Sequence, residues 1–252
     1  MWGFAPVLTR LGRDMGFVPF VMASCAAFYA ATLLTSPQIM GGGIFGFLAP
    51  APTSLVAFGA SGYIPVVVYG RWWTVLTATW LHASLIHIVM NMMSIRNVAP
   101  IVAEFYGASR MTIIYVVSGV AGFILSTLGS AYLTGIPILG YLMGGGGFTV
   151  GASASITGLI GAVYFYGHRT GSGAITEQAR FWVLSFLVMG FLIHGIDNWA
   201  HVGGLAGGFF CAKFLDPLYP ERLDHFLIAI GLLALTAIAI VVSVVTGLPL
   251  LR

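Results

Sequence analysis

Polar positions are scarce along this chain and fall in clusters, so the apolar runs between them can be measured. About 20 apolar residues are needed to span a bilayer core. Seven runs reach or approach that length: Gly16–Leu34, Trp80–Val102, Met111–Leu133, Val150–Gly167, Phe181–Ile196, Trp199–Leu215 and Phe226–Leu248. Each predicts a membrane-spanning helix. The first is too long for the apolar stretch of a cleaved signal peptide, and more spans follow, so it reads as an uncleaved helix. The fifth and sixth are short and separated only by a polar step around Asp197 and Asn198.

Composition agrees with the pattern. Of 252 residues, 59% are hydrophobic and 7% charged, and the mean hydropathy is +0.99. A soluble domain carries about 25% charged residues. A cytosolic globular enzyme, a disordered chain and a nucleic-acid binder are thereby excluded, and the fold class is an all-α polytopic membrane protein whose solvent is the lipid bilayer. The net charge of +3 comes from scattered residues, and its use is in topology. With the N-terminus in the cytoplasm, Arg10, Arg13, Arg96, Arg110, Arg169, Arg180, Lys213 and Arg222 fall on or near the inner side, and only Arg71 and Arg252 fall outside. That bias follows the positive-inside rule. It requires two crossings between Arg180 and Lys213, hence two short helices, and places the C-terminus outside. The expected connections are a long outer loop Thr35–Thr79 lying partly in the interface, a glycine-rich outer segment Thr134–Phe148 containing Gly144–Gly147, and a polar inner loop Arg169–Gln178. Cys25 and Cys211 lie inside apolar runs and make no disulfide framework.

A polar residue inside a membrane is costly and is a functional candidate by default. The second span carries His82, His87 and Asn91. His87 and Asn91 are four apart and share a helix face; polar bonding between neighbouring helices would also explain them. His82, five residues before His87, would point roughly 140° away on a continuous helix, a poor arrangement for a shared metal, and no H-E-x-x-H motif or Cys/His cluster completes one. The fourth span opens Gly151-Ala-Ser153, with Ala154, Gly158 and Gly161 forming a stripe of small residues that permits close helix approach. A capping role is common for serine. A serine on a tight glycine turn at a helix start can also act as a nucleophile beside N–H groups able to hold an oxyanion. The sixth span carries His201, Gly204 and Gly208 on one stripe. Under this topology the second, fourth and sixth spans run the same way, so His87, Asn91, Ser153 and His201 lie at similar depth near the outer side. A Ser153–His201 pair is then an acyl-transfer centre.

Two other features compete. Gly59-Ala-Ser61-Gly62 looks like a cleaner nucleophile turn but sits in the first outer loop. Asp197, four before His201, invites a triad, but its place at the aqueous outer end gives it no special role, and Glu104 is on the inner side. Ser155, His168, His194 and His225 are read as structural or surface residues.

From Trp73 to about Gly208 the chain resembles the rhomboid family of intramembrane serine proteases. The resemblance rests on His82-x4-His87-x3-Asn91, on Gly151-Ala-Ser153 with Gly161 downstream, and on Ala200-His201-x-x-Gly204-x-x-x-Gly208. It implies a six-helix core with one added C-terminal helix. The division is a cytoplasmic segment 1–14, a catalytic core 15–217, and a C-terminal segment 218–252 with the seventh span. It also implies Ser153 as nucleophile and His201 as general base, with His87, Asn91 and the Ser153 amide as oxyanion stabilisers. His82 matches a structural position, and Gly151, Ala154, Gly158, Gly161, Gly204 and Gly208 are supporting residues. The fifth span and the cap over the site would gate substrate entry from the lipid. Three positions depart from the family pattern: Ala154 replaces a usual Gly, Thr157 an aromatic that packs on the histidine, and Trp73-Thr74 the usual Trp-Arg, with Arg71 nearby. The expected partners are transmembrane protein substrates in a bacterial plasma membrane, with no metal, cofactor or nucleic acid. A catalytically silent rhomboid-like binder is the alternative; a transporter would show repeated halves, and none is seen.

Overall fold

The computed structural model describes residues 13–251 apart from 40, 42, 44, 45, 134, 135, 146 and 194. Nearly all of segment 1–14, with Arg10, and also Gly42, Gly146, His194 and Arg252 lie outside the described residues. The described residues contain no strand, only an antiparallel bridge pairing Ser61 with Thr149. The helices are α1 (Phe17–Leu34), α2 (Pro52–Phe58), α3 (Thr74–Thr77), α4 (Leu85–Tyr106), α5 (Ala108–Tyr132), α6 (Pro137–Met143), α7 (Ser153–Thr170), α8 (Gly173–Leu192), α9 (Asn198–Phe214) and α10 (Leu223–Gly247). The protein is an all-α integral membrane protein.

Five helices, α1, α4, α5, α8 and α10, are long and apolar enough to cross a bilayer. The other two expected spans, α7 and α9, are diluted by glycine, serine, threonine and histidine, and the reason is their position. They form the centre of the bundle with α5. Trp199 lies against Gly129 and Gly204 against Gly122. At the far end, the Arg110 guanidinium donates to the Leu215 and Asp216 carbonyls at 3.2 and 2.9 Å. So α9 runs antiparallel to α5 along its length. A Cβ at Gly204 would stand 2.0 Å from the Ala154 carbonyl oxygen, and one at Gly208 2.0 Å from that of Gly158. Only glycine permits backbones this close. Gly161 meets the Leu205 carbonyl in the same way, at 2.4 Å. The small residues of α5 complete the junction, with Ser118 facing Gly158 and Gly122 facing Ala154. Polar and small residues thus concentrate on the helices that see least lipid, while α10 presents Leu227, Ile238, Val241 and Val245 outward.

Two expectations about element ends are corrected. The second span begins at Leu85, not Trp80: Ser84 caps it by accepting from the His87 amide at 3.3 Å, and 78–80 form a separate 3-10 turn. The inner loop Arg169–Gln178 is reduced to Gly171 and Ser172, because α7 continues to Thr170 and α8 starts at Gly173 with Ser172 accepting from the Ile175 amide. The fifth span is therefore 20 residues long. A polar first turn helps a helix leave the membrane, and an apolar-run criterion cuts it off.

The long loop 35–79 contains α2, a π-helical turn Ile64–Val68 and α3. Trp72 and Tyr69 are exposed along it, whereas Arg71 is buried.

Candidate active site

The turn that leads into α7 places Ser153. Gly151 has φ +131°, a conformation that L side chains rarely adopt, and a Cβ there would lie 2.7 Å from His87 Nε2 and 3.7 Å from Ser153 Oγ. The hydroxyl and the imidazole therefore flank one point that only a glycine leaves open. The Gly151 amide donates to the Ala78 carbonyl at 3.0 Å, which fixes the turn against the long loop. As the first residue of α7, Ser153 has an amide free of any intrahelical acceptor.

His87 is oriented by its own helix start. Its Nδ1 accepts from the Ala83 amide at 3.3 Å. In a neutral imidazole this places the proton on Nε2, the nitrogen that faces Gly151 and Ser153. Asn91 Nδ2 donates to the His87 carbonyl at 2.9 Å, and its side chain reaches the same cavity. His82 lies outside the helix, in the connection before Ser84. Its ring meets that of His87 edge-on with centroids 5.2 Å apart, and it is fully buried. The angular separation expected for a continuous helix does not apply; His82 packs behind His87.

His201 projects from the first turn of α9, and Phe186 of α8 packs edge-on against its ring, 5.7 Å between centroids at 82°. That contact fills the role expected of an aromatic at position 157. Thr157 instead holds backbone: its hydroxyl donates to the Ala154 carbonyl at 2.9 Å and lies 3.2 Å from the His201 carbonyl. Ala154 is accommodated because the facing residue is Gly122. Phe186 was missed from sequence because its partner comes from a different span, although the absence of an aromatic at 157 was itself the signal that a ring had to come from elsewhere.

Ser153, His201, His87 and Asn91 all line one cavity of about 550 Å³. No hydrogen bond joins Ser153 Oγ to His201 among the described residues. The α7–α9 crossing at Ala154 and Gly204 places them on adjacent turns, and catalytic hydrogen bonds are commonly long in an empty site. The cavity is also lined by Met90 and Ser94 of α4, by Phe186 and Met189 of α8 with Ile193 just beyond its end, and by Gly144 and Gly145. Ser61 is elsewhere, buried in its bridge to Thr149. Asp197 is not at a free aqueous end: it caps α9, its carboxylate accepting from the Ala200 amide at 3.0 Å and from the Ser126 hydroxyl. It makes no hydrogen bond to the His201 ring. Among the described residues no three His, Cys, Asp or Glu side chains group to hold a metal.

The family profile described as "Rhomboid domain" matches residues 69–217. The chain is 32% identical over 165 residues to "Rhomboid protease GluP" of Bacillus subtilis, covering 64% of this chain and 29% of that protein. It is 33% identical over 182 residues to "RHOMBOID-like protein 6, mitochondrial" of Arabidopsis thaliana, covering 69% and 53% respectively. "Rhomboid-like protease 1" of Toxoplasma gondii is 31% identical over 170 residues, covering 64% and 53%. The chain therefore spans between 29% and 53% of the length of these relatives. With more than half of its length inside the matched domain, the chain belongs to the rhomboid family.

Proposed function

We propose that this protein is an intramembrane serine endopeptidase that cuts transmembrane segments near their outer end with a Ser153–His201 dyad. The observation that carries the reading is the shared cavity lined by Ser153, His201, His87 and Asn91, in which Gly151 opens the space between the hydroxyl and the Nε2 donor. Ser153 Oγ attacks the scissile carbonyl carbon while His201 takes its proton. The charge that develops on the carbonyl oxygen is met by the Ser153 amide, His87 Nε2–H and Asn91. Collapse of this intermediate breaks the C–N bond, and His201 returns the proton to the leaving amine. Water then attacks the acyl-enzyme, His201 takes one of its protons, and Ser153 leaves with that proton restored.

A helix satisfies its own backbone hydrogen bonds, so the scissile peptide must unwind before it reaches the serine. Entry between α4 and α8 fits the apolar walls they give the cavity. The basic residues at the Arg110 end support the reading of that end as cytoplasmic, with the serine near the opposite surface.

A fluorophosphonate probe tests the reading. Labelling should be abolished by Ser153→Ala and by His201→Ala, and kept in Ser61→Ala. Absence of labelling in well-folded wild-type protein would point to a rhomboid-like binder that grips membrane proteins without cutting them. Cleavage retained by His201→Ala would remove the base assignment.

A further inference from the structure

The loop between α1 and α4 holds a guanidinium that the catalytic reading does not use. Arg71 is 6% exposed. Its Nη1 donates to the Val56 carbonyl at 2.5 Å, and its Nη2 donates to the Ser243 carbonyl at 2.7 Å, with the Ala57 carbonyl and Thr246 Oγ1 each at 3.4 Å. Val56 and Ala57 end α2, and Ser243 and Thr246 stand in the last turns of α10. The partial negative ends of two helices thus converge on one cation, and no carboxylate pairs with it among the described residues. Trp73 Nε1 donates to Ser243 Oγ at 3.1 Å. A Cβ at Gly247 would lie 2.0 Å from the Ala57 carbonyl oxygen, and one at Gly59 2.8 Å from Ser243 Oγ. The end of the seventh span is therefore seated directly on backbone 57–59.

From that backbone, contacts continue to the serine turn. The Thr77 hydroxyl donates to the Gly59 carbonyl at 2.6 Å. Ser61 and Thr149 exchange amide-to-carbonyl bonds of 3.0 and 2.7 Å, and the Gly151 amide donates to the Ala78 carbonyl at 3.0 Å. Positions 149 and 151 are thus held by the same loop that grips α10, just before Ser153.

We propose that Arg71 is a positioning residue that clamps the seventh span to the loop against which the serine turn is held, so that the end of α10 sets the placement of Ser153 without touching substrate. The physical content is specific. A planar guanidinium reaches carbonyls of two helices at once, and a lysine ammonium on a flexible stem does not reproduce that fork. A seventh span that served only as an anchor in the bilayer would be uncoupled from residues 149–151.

The experiment compares full-length wild type, Arg71→Met, Arg71→Lys and Ser243→Leu in lipid nanodiscs. Ser243→Leu pries α10 from Gly59, a contact separate from the glycine crossings that join α5, α7 and α9. Amide hydrogen exchange is followed over 55–62 and 147–152, with 157–165 as the internal reference. Exchange over both stretches should rise about tenfold in all three variants while the reference stays protected, a local opening in the sense of a low-stability unit. Fluorophosphonate labelling should fall about 10²-fold, as expected when a reacting group is displaced by an ångström, and Lys should not rescue it. If 147–152 exchanges as in wild type in Ser243→Leu, the proposal is overturned, even where Arg71→Met loosens the whole protein. The activity readout rests on the protease reading. Should wild type itself fail to label, that reading falls, and the exchange data decide the role of Arg71 alone.

Discussion

The proton on His87 Nε2 is placed by a backbone amide four residues earlier in the chain. Ala83 N–H occupies Nδ1, so the ring offers a donor where the oxyanion would form. Replacing His87 by Ala removes that donor and should lower turnover by about 10²–10³, with substrate KM nearly unchanged, as measured on a purified transmembrane substrate. Gly151→Ala should act on the same spot by another route. The new methyl would meet the His87 ring at 2.7 Å and hold the residue at φ +131°. Backbone strain of this kind costs about 1–3 kcal/mol, and labelling of Ser153 should fall accordingly while the protein remains folded. The His87–Asn91 spacing and the Gly151-Ala-Ser153 turn were legible in sequence because each is local. His82 was misplaced because the angular argument assumed a helix through Ser84, and Ser84 is where the helix begins. Asp197 was read as an idle aqueous acid because a cap and a free carboxylate look alike until the Ala200 amide is seen pointing at it.

At the scale of elements, small residues decide which helices meet. The stripes Ala154–Gly158–Gly161 and Gly204–Gly208 could be read directly, since both lie at helical spacing on single segments. The third participant, α5, could not. Its Gly119, Gly122 and Ser118 sit in a run apolar enough to pass for an ordinary lipid-facing span, and only packing shows them under Ser155, Ala154 and Gly158. Gly204→Leu should force α9 away from the Ala154 carbonyl. Overpacking of a core typically costs about 1–3 kcal/mol, so the midpoint of thermal unfolding in detergent should drop, and labelling should be lost with it because Ser153 and His201 are held by that crossing. Unchanged melting and labelling would mean that the helices part without consequence. Helix starts were the least legible feature. Apolar-run reading began the fifth span at Phe181, eight residues late, because Thr176, Glu177, Gln178 and Arg180 belong to helix that is wet on its first turns.

Across the whole molecule, charge and pattern together predicted seven helices alternating between two ends. The Arg110 end gathers Arg13 with Glu104 and Arg169 with Asp216, and Arg71 belongs to the other. Hydropathy by itself would have stopped at five crossings. The discrepancy is confined to α7 and α9, the two helices that carry Ser153 and His201. Their glycine, serine, threonine and histidine content makes them poor membrane segments, and the bundle tolerates them by enclosing them. That enclosure has a consequence for biosynthesis. The partner that covers the glycine face of α7 is α9, which is made later, and α9 is covered only by docking on α5 and α7, so neither has a reason to partition into lipid unaided. Fused singly to an insertion reporter, α7 and α9 should integrate inefficiently, and integration should recover when α5, α7 and α9, which meet through Gly122, Ala154 and Gly204, are supplied in the same chain. Efficient solitary integration of either would refute this. Where the rescue holds, the cavity shared by Ser153 and His201 can close only late in biogenesis, once α9 has met the helices made before it.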